Sequence, residues 1–581
     1  MNRVTVVHDV MVGMRDGVRL ATDIYHPWAE PSPVAGPVLL RRTPYGKSEP
    51  ADGSGWARRF AEHGFVTVVQ DCRGCFRSEG DLDFLMAEAA DGQDTVTWLR
   101  DQPWCDGRVG TWGGSWSGWV QTAMAAAGTA GLAAMVPVTS GSDALTSSVR
   151  HGGAMELRWI AWAFAQLARR GGASSPPFGQ WLRRWPIAPG ETQLADSPAL
   201  ERWVFQLLRG APDDPVWSHP SLAPTRHLET YTDAPTLLIG GWYDSYARGT
   251  LELYERLAAT RRGSVRAIVG PWAHNGVAEA YAGDVWFGEE AVLDLAAMHL
   301  RWFDRWLRGR DGRDGDDPAV RIFVMGGGSG RRRGDGRLDH GGRWRVESGW
   351  PPATAVATDL YLHSGGRLAP QRPAAGTAAT TYRFDPADPV PTIGGNVSAL
   401  SEPGGRELAP GGGYDQRTGP QVFGAIAPYG PLSERPDVVV FETEALREPV
   451  EVTGTILVRL WVSTTAAGTD VTAKLIDVYP PSPDRPGGYA LNLTDSIVRV
   501  GAADLANAPA EVEVVLYPTA NLFAAGHRIR LDISSSNFPR FDVNPNTGAP
   551  AWLPGRTVVA DTTVHHDAAH PSRVVLPVVP A

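Results

Sequence analysis

The order of apolar runs along the chain predicts three kinds of segment. In residues 1–145, short apolar runs such as 65–69 alternate with helix-like spacing such as that of 88–99. Strands that alternate with helices are typical of a parallel sheet covered on both faces. We therefore predict an α/β domain whose first part spans residues 1–145.

This pattern then stops and resumes further along the chain. Residues 146–232 read as helical, rich in tryptophan and broken by proline, which predicts an inserted helical cap. Strand-like runs return at 236–239 and 265–269, and an amphipathic helix is predicted over 292–307. Residues 233–350 are therefore expected to complete the first sheet.

The last segment has a different composition. After Pro351-Pro352, glycine and proline increase, helical spacing is absent and short alternating runs such as 455–462 appear. These features predict an all-β sandwich over residues 351–581. Several domains are also expected from the length of 581 residues, because single hydrophobic cores stop growing near about 250–300 residues.

Composition and charge exclude several partners. No run approaches the roughly 18 apolar residues of a membrane span, which predicts no membrane role. The N-terminal sequence has no apolar signal core, so a cytoplasmic location is expected. The net charge of −10 argues against nucleic acid as a partner.

The cysteine pattern indicates no cofactor or metal. Cys72 and Cys75 have zinc or redox spacing, but Cys105 is the only other cysteine and no histidine cluster lies nearby. We therefore interpret all three as free thiols and expect neither a metal nor a cofactor.

Ser115 is the strongest candidate for chemistry. It lies in Gly113-Gly114-Ser115-Trp116-Ser117-Gly118, between the strand-like run 109–112 and the helix-prone run 120–127. A serine at such a strand–turn–helix corner is a nucleophile elbow, and the following helix aims its free N–H groups at a developing oxyanion. The second glycine comes one position late, since Ser117 occupies its place, and a non-catalytic Gly/Ser turn remains the alternative.

An aspartate and a histidine follow two later strands. Asp244 comes just after the run 236–239, and His274 just after the run 265–269. The order Ser115, Asp244, His274 is that of an α/β-hydrolase triad. Their alternatives are a helix N-cap for Asp244 and a hydrogen-bonded loop histidine for His274.

Further residues are nominated for the oxyanion hole and the pocket. The backbone N–H of Trp116 and the hydroxyl of Tyr45, which follows an early strand, are the predicted oxyanion donors. Trp159, Trp162 and Tyr246 are candidate pocket walls. The alternative for Tyr45 is an ordinary aromatic at the pocket rim.

Several motifs resemble those of one family, the bacterial cocaine esterase and X-prolyl dipeptidyl-peptidase family of serine hydrolases. The resemblance implies an α/β-hydrolase domain, a helical cap and a C-terminal jelly roll, with Ser115 as nucleophile, His274 as base, Asp244 as orienting acid, and Tyr45 and Trp116 as oxyanion donors. Trp116 departs from the pattern, since many relatives have tyrosine there. The matching segments are Arg42-Thr43-Pro44-Tyr45, Gln70-Asp71-Cys72-Arg73-Gly74, Ser78-Glu79-Gly80, Gly113-Gly114-Ser115-Trp116, Gly241-Trp242-Tyr243-Asp244, Gly270-Pro271-Trp272-Ala273-His274, Leu475-Ile476-Asp477-Val478-Tyr479-Pro480 and Ser534-Ser535-Ser536-Asn537-Phe538-Pro539-Arg540-Phe541.

The sequence thus predicts a serine hydrolase of small carboxylic esters, and three alternatives stay open. One is an X-prolyl dipeptidyl aminopeptidase or amidase, which would need a buried carboxylate near the pocket for the substrate's ammonium. No acidic pair follows Asp244, and Glu156 is more readily paired with Arg158 or solvated. The others are acyl transfer to a non-water acceptor and a non-catalytic, carbohydrate-binding role. The expected partner is a small-molecule ester or amide, and a homo-oligomer is left open.

Overall fold

A computed structural model describes residues 4–28, 35–49, 53–170, 178–260, 263–310, 318–376, 378–402, 405–505 and 509–580. Within these ranges, no helix combines the length and the apolar character that crossing a membrane requires. The helices are α1 (Gly55–Glu62), α2 (Glu88–Arg100), α3 (Trp116–Ala126), α4 (Arg158–Arg169), α5 (Phe178–Leu182), α6 (Pro198–Arg209), α7 (Ala247–Thr260) and α8 (Leu295–Arg308).

The strands fall into an earlier and a later group. The earlier strands are β1 (Thr5–Gly13), β2 (Arg19–His26), β3 (Gly36–Thr43), β4 (Val66–Asp71), β5 (Cys105–Gly114), β6 (Leu132–Val138), β7 (Arg150–His151), β8 (Ala154–Met155), β9 (Thr236–Tyr243), β10 (Val265–Ala273), β11 (Tyr281–Ala282), β12 (Val285–Trp286), β13 (Val320–Met325), β14 (Leu338–Asp339) and β15 (Gly342–Glu347). The later strands are β16 (Val356–His363), β17 (Arg367–Ala369), β18 (Ala379–Phe384), β19 (Val439–Glu442), β20 (Val450–Gly454), β21 (Leu457–Thr464), β22 (Thr469–Tyr479), β23 (Tyr489–Val500), β24 (Ala510–Val515), β25 (Thr519–Phe523), β26 (Arg528–Ser534), β27 (Ala560–His565) and β28 (Arg573–Val579).

A mixed sheet organises the first 350 residues. Its order is β1-β2-β4-β3-β5-β6-β9-β10-β13-β15, in which the strands from β4 to β13 run parallel and β1, β2 and β15 are antiparallel at the two edges. The predicted α/β architecture with a large sheet is confirmed. Because the central strands are parallel, the carboxyl ends of β3, β5, β9 and β10 meet at one edge of the sheet, where ligands bind in open α/β sheets.

Helices cover both faces of this sheet, as the alternating strand and helix signals predict. On one face, Phe60 of α1 packs edge-to-face on both Trp112 of β5 and Phe303 of α8. On the other face, Val96 of α2 and Met124 of α3 lie in a common cluster with the central strands. Every residue of strands β4 and β9 is buried, rather than every second one, because helices cover both faces of the sheet.

Helix α8 begins three residues later than the spacing predicts. The structure starts it at Leu295 rather than at residue 292, because the side chain of Asp294 accepts a hydrogen bond from the Ala297 N–H at 3.0 Å and so caps the helix. The hydrophobic periodicity continues through residues 292–294, so it could not show that the helix begins only after the Asp294 cap.

Between β6 and β9 the chain forms α4, α5 and α6, together with the short hairpin β7–β8, which the sequence did not predict. The aromatic side chains Trp159, Phe164 and Trp203 pack into one buried cluster that extends to Trp116 and Trp119 of α3. This helical segment therefore shares its core with the helix that follows Ser115.

After α8, the described residues contain strands and a single 3-10 turn but no α-helix, which confirms a β-rich C-terminal region. Strand β22 lies between β23 and β26 in antiparallel pairing. Met325 of β13 also pairs with Asn521 of β25, so the C-terminal strands contact the first sheet directly. The four predicted segment boundaries stay predictions.

Candidate active site

Ser115 occupies a strained corner between β5 and α3. Its backbone has φ 58° and ψ −124°, a conformation that costs a non-glycine residue on the order of 1–3 kcal/mol. The corner is held by the Ser115 N–H, which donates to the Val138 carbonyl at 3.0 Å, and by the Trp119 N–H, which donates to the Ser115 carbonyl at 2.9 Å. This backbone conformation places the serine directly before α3, at the carboxyl edge of the sheet.

The second glycine of the motif lies one position late for a steric reason. A Cβ at Gly118 would lie 2.8 Å from the Val138 carbonyl oxygen, so the close approach of α3 to β6 requires glycine at that position. A Cβ at Gly113, whose φ is +137°, would lie 2.6 Å from the Ser117 Cβ. Glycine at 113 therefore accommodates the serine at 117, and the elbow keeps its shape with the second glycine one residue later.

Asp244 and His274 lie side by side at the same edge. Asp244 follows β9, His274 follows β10, and the two strands are parallel neighbours. His274 Nδ1 lies 2.8 Å from Asp244 Oδ1, and the aspartate is fully buried. Because a carboxylate only accepts, this contact assigns the proton to Nδ1 and leaves Nε2 as an acceptor.

The C-terminal region supports this pair. The amide Nδ2 of Asn396 donates to the Asp244 carbonyl at 3.3 Å and to the Trp242 carbonyl at 2.5 Å. These bonds tie the turn after β9 to a segment more than 150 residues away. No local pattern in the sequence could have identified Asn396, since its partners are backbone carbonyls.

A cavity of about 730 Å³ brings Ser115, His274 and Tyr45 together. This volume is typical of small-molecule sites. The Tyr45 hydroxyl donates to Ser115 Oγ at 3.3 Å. Trp162 of α4 lines the cavity, and residues 399, 401, 402 and 405 of the C-terminal region form part of its wall. All three parts of the chain thus contribute to the cavity.

Trp159 and Tyr246 were also expected at the pocket wall, but they are not among the residues that line this cavity. The Trp159 ring packs edge-to-face on Phe84, at 4.7 Å between centroids, behind the lining residues. The Tyr246 ring lies 5.6 Å from the His274 ring, and its hydroxyl accepts a hydrogen bond from Arg158 at 3.1 Å. Both residues therefore belong to a second layer of aromatic side chains, behind the residues that line the cavity.

Trp116 is the first residue of α3, next to Ser115, and its side chain stiffens the same wall. Its ring stacks on Trp162, with centroids 4.6 Å apart and planes 3° apart. Its Nε1–H donates to Glu88 at 2.8 Å, and Arg42 donates to the same carboxylate at 2.7 Å. Sequence reasoning did not identify Glu88, because nothing in the local pattern links it to residues so distant along the chain.

Glu156 is buried but already neutralised by cations. Arg158 pairs with it directly, and Arg540 Nε lies 3.4 Å from its Oε1. Burial by itself would raise the pKa of Glu156, but Arg158, His151 and Arg540 outweigh it and lower the pKa to about 2. The charge of the ionised carboxylate is therefore already compensated by neighbouring cations, and Arg158 is one of them, as expected.

The cavity has a second, aromatic end beneath the sheet edge. Trp56, Trp112 and His299 line it, and the Arg41 guanidinium lies over the Trp112 ring at 5.0 Å from its centroid. Burial lowers the pKa of His299 to about 4. The lowered pKa keeps the imidazole neutral at pH 7, and its Nδ1–H donates to the Leu295 carbonyl at 2.6 Å.

No group of three His, Cys, Asp or Glu side chains is arranged as a metal site in the part of the chain that the structure describes. The three cysteines are buried free thiols.

The fold and the site define an α/β-hydrolase, and comparisons with known proteins identify its family. Residues 16–276 match the sequence model of the X-Pro dipeptidyl-peptidase (S15) family, and residues 314–575 match that of the X-Pro dipeptidyl-peptidase C-terminal non-catalytic domain. The chain is 35% identical to a cocaine esterase of Rhodococcus sp. (strain MB1 Bresler), over 99% of both proteins. The chain therefore belongs to this family of serine hydrolases and is itself a hydrolase.

Two solved structures share the complete architecture. An aminopeptidase from a marine sediment archaeon, Thaumarchaeota archaeon, superposes with a TM-score of 0.78 at 25% identity, covering 100% of this chain and 97% of that one. An α-amino acid ester hydrolase has the same TM-score at 26% identity, covering 99% and 97%. The family thus includes both ester and peptide hydrolases on one fold.

Proposed function

We propose that this protein hydrolyses small carboxylic esters through an acyl-enzyme on Ser115. The observation that carries the proposal is the meeting of Ser115, Tyr45 and His274 in one cavity, with Asp244 bonded to His274 behind it. His274 Nε2 takes the serine proton during attack on the ester carbonyl and returns it to the leaving alcohol. Water, activated by the same imidazole, then cleaves the acyl-enzyme.

Two donors are proposed for the tetrahedral oxyanion. The Trp116 N–H belongs to the first turn of α3, where backbone donors have no partner within the helix. The Tyr45 hydroxyl, now 3.3 Å from Ser115 Oγ, is placed to turn toward the oxygen that develops charge beside it. Each such donor stabilises the transition state by roughly 3 kcal/mol.

The surrounding segments have proposed roles of their own. Residues 146–232 act as a cap, because α4 supplies Trp162 and Gln166 to the cavity wall. Residues 351–581 form a jelly roll whose loops close the remaining side through Ser401 and Glu402. The substrate is therefore enclosed by three segments, which favours a small ester.

A substrate panel tests the proposal. p-Nitrophenyl esters of short aliphatic and aromatic acids are assayed beside dipeptide p-nitroanilides, under conditions that reveal a pre-steady-state burst. We expect ester turnover with kcat/KM at least 100-fold above that for any anilide. Preferred anilide cleavage would assign an aminopeptidase instead, and product formation only with an added alcohol or amine acceptor would assign acyl transfer.

Substitution Tyr45→Phe removes the proposed oxyanion donor and keeps the ring. We expect kcat for the preferred ester to fall about 100-fold with KM within threefold, because the lost bond forms only in the transition state. The control is Tyr489→Phe, which removes a hydroxyl buried in the C-terminal region without a hydrogen-bond partner among the described residues. A fall in kcat of less than fivefold for Tyr45→Phe would contradict the role.

A further inference from the structure

Helix α4 contacts the side chains of both candidate oxyanion donors. The Trp162 ring stacks on the ring of Trp116, and the guanidinium of Arg169 lies over the ring of Tyr45, 5.1 Å from its centroid. Trp162 and Arg169 both line the catalytic cavity. Because 162 and 169 are two helical turns apart, they lie on one face of α4. One helix face thus meets a donor that follows β3 and a donor that follows β5.

The Tyr45 ring is the specific contact of the Arg169 guanidinium. Arg169 forms no ion pair and no side-chain hydrogen bond among the described residues. The next residue, Arg170, donates instead to the Gly74 carbonyl at 2.5 Å. The negative end of the helix dipole favours a cation in the last turn of α4, but it does not select the group over which that cation lies. The dipole therefore does not account for the contact with Tyr45.

A cation over a phenol ring acts on its hydroxyl in two ways. It restrains the ring through the cation–π interaction. It also withdraws electron density from the ring, which makes the O–H a stronger donor to a charged acceptor. The Tyr45 hydroxyl lies 3.3 Å from Ser115 Oγ, and the Tyr45 N–H donates to Thr43 Oγ1 at 3.1 Å. The loop thus fixes the backbone of Tyr45, and Arg169 restrains its ring.

We propose that Arg169 is a positioning residue of the oxyanion hole, which orients the Tyr45 phenol and strengthens its hydrogen bond to the tetrahedral intermediate. Arg169 acts through Tyr45 rather than on the reacting atoms. This inference rests on the proposed esterase function and extends its machinery to α4. The oxyanion hole is then complete only when this helix is packed against the serine elbow.

A double-mutant cycle tests whether Arg169 acts through the phenol. Arg169→Met removes the charge and keeps an unbranched side chain, and kcat for the preferred p-nitrophenyl ester is compared in the Tyr45 and Tyr45→Phe backgrounds. We expect a fall in kcat of about fivefold with Tyr45 present, with KM within twofold, and no change in Tyr45→Phe. A coupling between the two sites of less than twofold would overturn the inference, because Arg169 would then act independently of the hydroxyl.

The matched control is Arg184→Met. Arg184 is another exposed arginine of the helical segment, and its guanidinium lies over the Trp181 ring at 5.7 Å from the centroid. Neither residue is among those that line the catalytic cavity. The substitution removes the same charge and the same kind of contact, so kcat should stay within twofold of the wild type. A fall as large as that of Arg169→Met would assign both effects to the charge or stability of the segment and would contradict the positioning role.

Binding of phenylboronic acid separates this inference from the esterase proposal. Its boron accepts an electron pair of Ser115 Oγ while the serine proton passes to His274, and the tetrahedral anion that forms resembles the reaction intermediate. The four proteins of the cycle are titrated by calorimetry. We expect Arg169→Met to weaken binding about fivefold with Tyr45 present and less than twofold in Tyr45→Phe. This result would support the role of Arg169 even if anilides were preferred to esters, whereas equal weakening in both backgrounds, or none in either, would refute it.

Discussion

The Ser115→Ala variant is expected to lose at least about 10⁴-fold in kcat for the preferred p-nitrophenyl ester, and its pre-steady-state burst should disappear. The hydroxyl is the proposed nucleophile, so without it only the weak catalysis due to binding and the oxyanion donors remains. Steady-state rates and burst amplitudes measure both effects.

Ser117 supplies a control from the same motif. Its hydroxyl is buried two residues further along, without a hydrogen-bond partner among the described residues. Ser117→Ala keeps the Cβ that packs on Gly113 and removes only that hydroxyl, so activity and the unfolding temperature should stay close to those of the wild type. Activity that survived in Ser115→Ala but not in Ser117→Ala would transfer the nucleophile role to Ser117.

The second large effect is expected for Asp244→Asn, which should lower kcat about 10⁴-fold. The carboxylate accepts the Nδ1 proton of His274 at 2.8 Å, and an amide in its place can donate to Nδ1 instead. That exchange would favour the tautomer with the proton on Nε2, which cannot accept the serine proton. Steady-state kcat at pH 7 measures the loss.

The control for this variant is Asp294→Asn. Asp294 caps α8, which contributes Leu295 and His299 to the cavity, and its side chain is 63% exposed. Asparagine is an equally good cap, so activity and stability should not change. If Asp244→Asn kept more than a tenth of the wild-type kcat, Asp244 would not be the orienting acid.

Much of the candidate site could be predicted because its residues stand next to strand ends. Each member of the candidate triad comes directly after a strand: Ser115 after β5, Asp244 after β9 and His274 after β10. The apolar runs of those strands are local signals in the sequence. Parallel strands bring their carboxyl ends to one edge, so predicting the strands also predicts which side chains meet. Tyr45 was found in the same way, two residues after β3.

The depth of the pocket wall could not be predicted in this way. Trp159 and Trp162 lie three residues apart on α4 and have similar surroundings in the sequence. In the folded chain, Trp162 faces the cavity and Trp159 packs behind it on Phe84. The difference depends on how α4 is rotated against α3, and periodicity does not report that rotation.

The sequence by itself determined the α/β sheet, the β-rich C-terminal region and the order of the candidate triad, because strand periodicity and turn chemistry act over a few residues. The tertiary structure alone decided that Glu156 is neutralised by Arg540, that Glu88 holds Trp116, and that Glu402 enters the catalytic cavity with one oxygen unsatisfied. These contacts join segments tens to hundreds of residues apart. A side chain's charge partner is set by packing between such segments, and no local pattern carries that information.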